Sequence, residues 1–248
     1  MRPLLLLLLV PATILYSSIV FAGELRVTPV TLIFDKQFKN GIITVINEGT
    51  ESIQVEIKAA EWTQDSSGKD QYKDTTDLIF FPKILTIEKG ENRAVRAGIK
   101  TPAISSEKTY RLFIKELPKA TKEIQGAQVR FAMQFAVPIF VKPVKEEIKG
   151  EVINLKLGNG QFAFDVRNSG NSHFRIDTIV VKGLDATGAE TYSKELNGWY
   201  LLPGAMRTYS TPISQENCQD ASKFVVEVKS DQLSLHGQLD VIKTLCLP

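Results

Sequence analysis

The stretch Phe162-Ala163-Phe164-Asp165-Val166-Arg167-Asn168-Ser169-Gly170 shows the pattern that decides the fold. Large apolar residues alternate with small or polar ones up to Val166, and Asn168-Ser169-Gly170 then supplies a turn. Such alternation is typical of a half-buried β-strand, because successive side chains point to opposite faces of a sheet. The same alternation occurs in Ile53-Gln54-Val55-Glu56-Ile57 and from Phe224 to Val228. The sequence therefore predicts many strands and no long amphipathic helix.

The pattern of strand and turn occurs twice along the chain. Thr44-Val45-Ile46-Asn47-Glu48-Gly49 is followed later by Leu85-Thr86-Ile87-Glu88-Lys89-Gly90, and the stretch that ends at Gly170 is followed by Leu201-Leu202-Pro203-Gly204. In each copy a strand ends in Asn-x-Gly, and a later glycine turn opens another strand. We therefore predict an all-β fold of two tandem immunoglobulin-like β-sandwich domains.

Composition indicates where the first domain begins and where the boundary between the two domains lies. Residues 1–22 begin with Met1 and Arg2, continue through apolar runs and end in Val20-Phe21-Ala22. This is the pattern of a secretory signal peptide cleaved after Ala22, with an uncleaved anchor helix as the alternative. We place the N-terminal domain at 23–143 and the C-terminal domain at 150–248. The hinge is expected near 142–149, where charged residues and proline replace an apolar run.

Composition argues against several classes of function. The net charge is +2 with both signs spread along the chain, which favours neither a nucleic-acid binder nor a membrane-surface binder. The two histidines, His173 and His236, form no His-x-x-x-His pattern, and no Cys-x-x-Cys or Gly-x-Ser-x-Gly motif occurs. We therefore expect no enzyme activity, metal, cofactor or small-molecule substrate. His173 follows a turn and is expected to be a solvated loop residue, whereas Trp62 and Trp199 are expected to pack in the core.

Cys218 and Cys246 are the two cysteines of the chain. An oxidising compartment favours a disulfide between them, which would contribute roughly 3 kcal/mol by chain entropy. Two unpaired buried thiols are the alternative.

The segment 129–141 has a continuous apolar stripe. Its odd-numbered positions carry Val129, Phe131, Met133, Phe135, Val137 and Ile139, and its other face begins with Arg130, Ala132, Gln134 and Ala136. One interpretation is that the stripe fills the core of its own domain. The other follows from position, because the last strand of an immunoglobulin-like sandwich lies at a sheet edge, and an apolar edge strand is an aggregation hazard unless a partner pairs with it.

With these residues in view, the sequence resembles the periplasmic chaperones of the chaperone–usher pathway of bacterial fimbriae. The matching motifs are Leu25-Arg26-Val27-Thr28-Pro29, Val95-Arg96 and the segment Tyr110-Arg111-Leu112-Phe113-Ile114-Lys115-Glu116-Leu117-Pro118. Tyr-Arg-Leu-Phe followed by Glu-Leu-Pro, and then Val-Pro-Ile-Phe-Val, is similar to the archaic, spore-coat-U-like branch.

The resemblance implies two domains in a boomerang arrangement and donor-strand complementation, in which the chaperone lends a strand to an incomplete fimbrial subunit. The donor residues would be Val129, Phe131, Met133, Phe135 and Val137. The implied partners are fimbrial (pilin) subunits and an outer-membrane usher, and the implied location is the periplasm. Whether the free protein caps its edge by pairing with a second copy is left open.

Members of the family's classical branch clamp the subunit's C-terminal carboxylate with an Arg on the first strand and a Lys near the end of the donor strand. Those positions here hold Thr31 and Pro138. The candidate replacements are Arg111, for which a surface cation or an internal ion pair is the alternative, and Lys142. The resemblance also implies an ion-pair bridge between the domains, for which Arg96, Glu107 and Asp231 are the best matches.

The main rival hypothesis is a secreted immunoglobulin-like structural or adhesive surface protein. It predicts self-association or a host ligand, whereas the chaperone hypothesis predicts a protein that leaves with a subunit and is recycled.

Overall fold

The computed structural model describes residues 25–118 and 132–246, in two groups of strands. The first group comprises β1 (Leu25–Thr28), β2 (Leu32–Phe34), β3 (Asn40–Asn47), β4 (Ile53–Gln64), β5 (Asp70–Asp74), β6 (Leu78–Phe81), β7 (Ile84–Ile87), β8 (Asn92–Ile99), β9 (Lys108–Leu117) and β10 (Gln134–Val141). The second comprises β11 (Gly150–Gly158), β12 (Gln161–Asn168), β13 (Phe174–Leu184), β14 (Glu190–Asn197), β15 (Tyr200–Leu201), β16 (Met206–Pro212), α1 (Gln215–Asp220), β17 (Lys223–Ser230), β18 (Ser234–Asp240) and a 3₁₀ turn, Lys243–Cys246.

The N-terminal group forms two sheets. One has the strand order β1-β3-β8-β6, and the other has the order β2-β10-β9-β4-β5 with β7 also paired to β4. The alternation in Ile53–Ile57 places Val55 and Ile57 inside, where they pack with Val45 and Leu112 in one buried cluster. Burial of side chains of this size stabilises the sandwich by roughly 1.5 to 3 kcal/mol each.

The C-terminal group repeats the arrangement with its own core. Its sheets have the orders β11-β12-β16 and β14-β13-β17-β18, with β15 also paired to β13. Phe162, Phe164, Phe174 and Phe224 are fully buried between them. The prediction of an all-β fold with two immunoglobulin-like sandwiches is thus confirmed, since the described residues contain one short α-helix and one 3₁₀ turn and otherwise strands and loops.

The Asn-x-Gly turn of the N-terminal domain closes around a buried side chain. Asn47 is fully buried, and its Nδ2 donates to the carbonyl oxygens of Glu51 (2.7 Å) and Ile87 (3.0 Å). Its Oδ1 accepts from the amide of Gly49 (3.0 Å), and the amide of Gly90 donates to its backbone oxygen (3.0 Å). The two sequence motifs of this domain therefore meet at one hydrogen-bonded turn around the buried asparagine, which we call the corner.

The C-terminal domain builds the same corner around Asn168, which is also fully buried. Its Nδ2 donates to the carbonyl oxygens of Ser172 and Leu201, both at 2.9 Å, and its Oδ1 accepts from Gly170 N (2.9 Å). The amide of Gly204 donates to the backbone oxygen of Asn168 (3.1 Å). The repeat seen in the sequence is thus a repeated hydrogen-bonded corner.

A disulfide links Cys218 and Cys246, whose sulfur atoms are 1.99 Å apart. It ties α1 to the 3₁₀ turn at the end of the described chain. The bridge therefore holds the last described residues on the C-terminal sandwich. Ser214 caps α1, because its side chain accepts a hydrogen bond from Asn217 N (3.1 Å).

Two large side chains of the N-terminal strands pack with the C-terminal core. Trp62 on β4 and Phe140 on β10 belong to the same buried cluster as Phe174 and Leu201. They contact one another, with ring centroids 5.9 Å apart. The sheet that carries β10 thus contributes apolar side chains to the contact between the two sandwiches.

Among the described residues, no helix is long and apolar enough to cross a membrane. Within the same ranges, no group of three or more His, Cys, Asp or Glu is arranged to hold a metal ion.

Candidate functional site

Strand β10 has one edge that the described strands cover only in part. It pairs with β9 along its whole length, from Gln134 opposite Lys115 to Val141 opposite Lys108. Its other edge pairs with β2, in parallel, only over residues 139–141. Among the residues that the structure describes, the segment 134–138 therefore has no strand beside its outer edge.

The backbone groups on this edge follow from the ladder. Glu116 N donates to Met133 O (2.9 Å), so residue 133 faces β9, whereas Lys142 N donates to Phe34 O (2.8 Å) and faces β2. Because direction alternates along a strand, odd-numbered residues of β10 turn their N–H and C=O groups to β9 and even-numbered residues turn theirs to the outer edge. The N–H groups of Gln134 and Ala136 and the C=O group of Gln134 thus face the side on which a strand could be added, whereas the Ala136 oxygen also accepts from Arg111 Nη1.

The side chains of the apolar stripe become more buried along β10. Met133 and Phe135 are half-buried and pack on the rim of the N-terminal core, whereas Val137 is only 3% exposed and lies inside that core. Val137 was predicted as a donor residue, but its side chain already fills its own domain. Val129 and Phe131 lie outside the described residues. Among the described residues of the stripe, Met133 and Phe135 are the ones that are partly exposed.

Arg111 lies beside this edge. It is on β9 opposite Pro138 and is only 5% exposed. Its Nη1 donates to Ala136 O (3.0 Å), and its guanidinium carbon lies 3.7 Å from the ring centroid of Trp62. Its Nε is buried and has no hydrogen-bond partner among the described residues. Arg111 is therefore neither a solvated surface cation nor fully satisfied within the chain.

The guanidinium of Arg111 is a buried charge. Burial lowers the pKa of its guanidinium, and interactions with Tyr72, Asp70 and Tyr200 oppose this only in part. No carboxylate of residues 25–118 or 132–246 forms an ion pair with it. Asp70 instead accepts hydrogen bonds from Tyr72 Oη (3.3 Å) and Trp199 Nε1 (3.2 Å). A buried cation that lacks a carboxylate partner is costly, so Arg111 remains the stronger candidate for a carboxylate anchor.

Lys142, the second candidate anchor, is already paired. Its Nζ lies 2.9 Å from Glu146 Oε2, and its side chain is 38% exposed. An exposed pair of this kind is worth at most about 1 kcal/mol. Lys142 therefore offers less to a carboxylate than Arg111 does.

The three residues expected to bridge the domains are not brought together. Glu107 does reach the other domain, where its Oε2 lies 2.8 Å from Nδ1 of His173 and accepts from His173 N (2.9 Å). Asp231 instead accepts from Arg175 N of its own domain (2.9 Å). Arg96 is exposed on β8, and none of the ion pairs among the described residues includes it. Glu107 is therefore paired with His173 instead of with the charged residue that the sequence predicted.

The prediction of a solvated His173 is wrong. Its side chain is 12% exposed, and its ring stacks on Phe140 with centroids 3.5 Å apart and planes 9° apart. Trp199 was expected in the core, but it is 43% exposed at the junction between the domains. Both residues are placed by partners distant in sequence, so a local pattern carried no signal for them.

Gln64 is a further residue of the site that sequence reasoning missed. Its amide nitrogen donates to Tyr200 O (2.9 Å) and to Asp70 Oδ1 (3.0 Å), and its amide oxygen accepts from Leu202 N (3.0 Å). A side-chain amide used in this way docks β4 against β15. Residues of both domains thus contribute to the site.

Comparison with known proteins fits this geometry. A family model described as "Pili and flagellar-assembly chaperone, PapD N-terminal domain" matches residues 24–149. The probable fimbrial chaperone EcpE of Escherichia coli O127:H6 (strain E2348/69 / EPEC) is 24% identical over 128 residues, which cover 52% of this chain and 50% of the relative. The chain thus spans about half the length of the curated relatives it matches.

Solved structures show the same two-domain fold. The CsuC–CsuE chaperone–tip adhesion subunit pre-assembly complex, from archaic Csu pili of Acinetobacter baumannii, matches with a TM-score of 0.61 and 18% identity, over 86% of this chain and 98% of that one. The complex of Salmonella enterica SafA pilin with the SafB chaperone matches with a TM-score of 0.57 and 12% identity, over 88% and 97%. Since the family model covers half of the sequence, the chain belongs to the family of pili and flagellar-assembly chaperones.

Proposed function

We propose that the protein is a periplasmic chaperone that binds and stabilises fimbrial subunits by donor-strand complementation and delivers them to an outer-membrane usher. The observation that carries the proposal is the outer edge of β10 at 134–138, beside which residues 25–118 and 132–246 place no strand, with Met133 and Phe135 half-buried next to it. An incomplete subunit exposes an apolar groove and unpaired backbone groups. Addition of β10 to that subunit satisfies both.

The side chains supply most of the affinity. Full burial of Met133 and Phe135 in groove pockets is worth roughly 1.5 to 3 kcal/mol each, and Val129 and Phe131 would extend the same stripe. The backbone groups of Gln134 and Ala136 set direction and register. Met133 is unbranched, which suits a groove whose shape differs from one subunit to another.

Arg111 is the proposed anchor for the subunit's C-terminal carboxylate. It is buried beside Ala136 O, on the edge where the last strand of a bound subunit would run. Its planar fork suits a carboxylate, and a charge-assisted hydrogen bond is worth about 1.5 to 3 kcal/mol. The motif likeness to the archaic branch supports an anchor on this strand, since the residues used elsewhere in the family are Thr31 and Pro138 here.

The remaining parts of the proposal concern the whole chain. We place a cleaved signal peptide at 1–22, the chaperone domain at 23–143 and the second domain at 150–248. The protein acts by binding and carries out no catalysis. In the free state, a second copy is one way to cover the open edge.

Co-purification from the native host tests the proposal. The tagged protein is isolated from the periplasm as wild type, as Ala136→Pro and as Met133→Asp/Phe135→Asp, and its companions are identified by mass spectrometry. Ala136→Pro removes one N–H from the outer edge and leaves the pairing with β9 intact, which edge strands tolerate. Ile79→Asp, which changes a 53%-exposed residue of the other sheet, is the matched control.

The expected result is a small immunoglobulin-like subunit that travels with wild type and Ile79→Asp and is lost from the other two. Circular dichroism checks that each variant is folded. A wild-type protein that purifies alone, or a companion that is indifferent to the changes in β10, would contradict the proposal and favour a structural or adhesive protein.

A further inference from the structure

Arg111 lies among aromatic rings from both domains. Its guanidinium carbon is 3.7 Å from the Trp62 centroid, on the N-terminal sheet. It is 5.5 Å from the ring of Tyr200 and 6.0 Å from that of Trp199, which belong to the C-terminal domain. All three distances are within the range in which a ring attracts a cation. We call these three residues the aromatic box.

The box is held together by edge-to-face ring contacts. Tyr200 lies 5.4 Å from Trp62 at 82°, and 5.6 Å from Trp199 at 88°. Such T-shaped pairs place the positive edge of one ring against the negative face of another and restrict both. The rings therefore support one another as well as the cation.

The C-terminal half of the box is fixed by its own backbone. Tyr200 pairs with Arg175 of β13, and Ile176 N donates to Trp199 O (3.0 Å). At the preceding Gly198, an added Cβ would lie 2.2 Å from Ile176 O, so the chain passes β13 too closely for a side chain. The backbone that carries the two aromatic residues is thus held closely against β13.

The same residues are tied to the N-terminal domain by polar contacts. Trp199 Nε1 donates to Asp70 (3.2 Å), and the backbone oxygen of Tyr200 accepts from Gln64 (2.9 Å). Asp70 and Gln64 lie on the two strands of one hairpin, β4–β5, and bond to each other (3.0 Å). The position of the rings over Arg111 is therefore set by the junction between the domains.

We propose that Trp199 and Tyr200 are positioning residues for carboxylate recognition by Arg111, so that the C-terminal domain contributes to the capture of a subunit's last residue. This inference rests on the proposed function. The rings hold the guanidinium plane while Nη1 donates to Ala136 O, which lies on the outer edge of β10. Recognition of the carboxylate thus depends on the arrangement of the two domains.

The test separates the carboxylate from the strand. The probes are an acetylated peptide of alternating Val and Thr with a free C-terminal carboxylate, and the same peptide with a C-terminal amide. Affinities of the mature protein for both are measured by calorimetry, and their ratio reports the carboxylate contribution. The proteins are wild type, Arg111→Gln, Trp199→Leu, Tyr200→Leu, Trp199→Phe and Tyr200→Phe. Tyr192→Leu, which changes a half-buried aromatic residue that contacts Phe224, is the matched control.

Wild type is expected to prefer the carboxylate at least tenfold, as for a charge-assisted hydrogen bond. Trp199→Leu and Tyr200→Leu are expected to reduce that ratio about three- to tenfold, in line with loss of a cation–π contact. Their affinity for the amide should not change. The Phe variants should retain most of the ratio because they keep a ring. In nitrogen-15 NMR spectra, the guanidinium of Arg111 should lose its ring-current shift from Trp62 in the Leu variants and keep it in the Phe variants.

Other results overturn the inference and locate the error. If Arg111→Gln abolishes the ratio while Trp199→Leu and Tyr200→Leu leave it unchanged, the box has no positioning role and the anchor stands. If the Leu variants weaken both peptides equally, their effect is structural. If wild type binds the two peptides equally, the proposed anchor is wrong. If wild type binds neither peptide at millimolar concentration, the proposed strand pairing at the edge of β10 is wrong.

Discussion

The repeated corner around Asn47 and Asn168 predicts that one buried amide in each domain contributes more to stability than its size suggests. We consider Asn168→Ala, which removes two donated hydrogen bonds and one accepted bond from a fully buried site. The comparison variant is Asn168→Asp, which keeps the acceptor for Gly170 N and loses both donors. Asn197→Ala, at an exposed residue of the same domain, is the control.

The magnitude follows from the bonds that are lost. Three hydrogen bonds at about 1 kcal/mol each give a loss of about 3 kcal/mol for Asn168→Ala, because the carbonyl oxygens of Ser172 and Leu201 stay buried. Asn168→Asp should cost at least as much, since a carboxylate would then face those two oxygens in a dry site. Asn197→Ala should change the free energy of unfolding by less than about 0.5 kcal/mol.

Urea titration followed by NMR gives the measurement, since resonances of the two domains report their unfolding separately. The C-terminal transition should move to lower urea in both Asn168 variants with an unchanged slope. A free energy of unfolding for Asn168→Asp within 0.5 kcal/mol of wild type would refute the reasoning, because the turn would then need only the acceptor.

Three further predictions concern other parts of the chain. Burial raises the pKa of Asp77, but hydrogen bonds from Tyr110, Lys108 and Thr101 outweigh it and lower the pKa to about 2. The stabilisation is therefore complete above the unfolded-state pKa near 4 and is lost as the pH falls towards 2, so acid titration of wild type against Asp77→Asn should show about 1 to 2 kcal/mol of extra pH dependence in wild type. Replacement of Cys218 and Cys246 by serine should cost the C-terminal domain about 3 kcal/mol in urea titrations, because the bridge closes a separation of 28 residues, and equal loss in both domains would count against this. Gly68 has φ +76° and an added Cβ would lie 2.8 Å from Arg207 Cβ, so Gly68→Ala should destabilise the contact of the β4–β5 hairpin with the C-terminal domain by about 1 kcal/mol and broaden the NMR resonances of residues 204–207; unchanged spectra would contradict this.

The sequence predicted what depends on local patterns. The period-two alternation defined strands such as β4 and β12, and the two Asn-x-Gly motifs identified a repeat that proved to be a repeated corner. These features could be recognised because backbone geometry relates residues close in the chain. The fold class followed from them.

Features that depend on distant partners were not predictable in the same way. The pairing of Glu107 with His173 joins residues 66 apart, and nothing near His173 distinguishes it from a loop histidine. The enclosure of Arg111 combines Trp62 with Trp199 and Tyr200 from the other domain. Val137 belongs to a stripe that is uniform in sequence, and its burial depends on how that stripe meets the N-terminal core. Tertiary contacts, rather than local propensity, placed these residues.

The central claim is that a subunit adds a strand to the outer edge of β10, and hydrogen exchange of the backbone amides measures this most directly. Amides of Phe135 and Val137 face β9 and should exchange slowly whether or not a subunit is bound. Amides of Gln134 and Ala136 face outward, so they should exchange quickly in the free protein and at least about tenfold more slowly in the purified chaperone–subunit complex. Unchanged exchange at Gln134 and Ala136 in that complex would contradict the account.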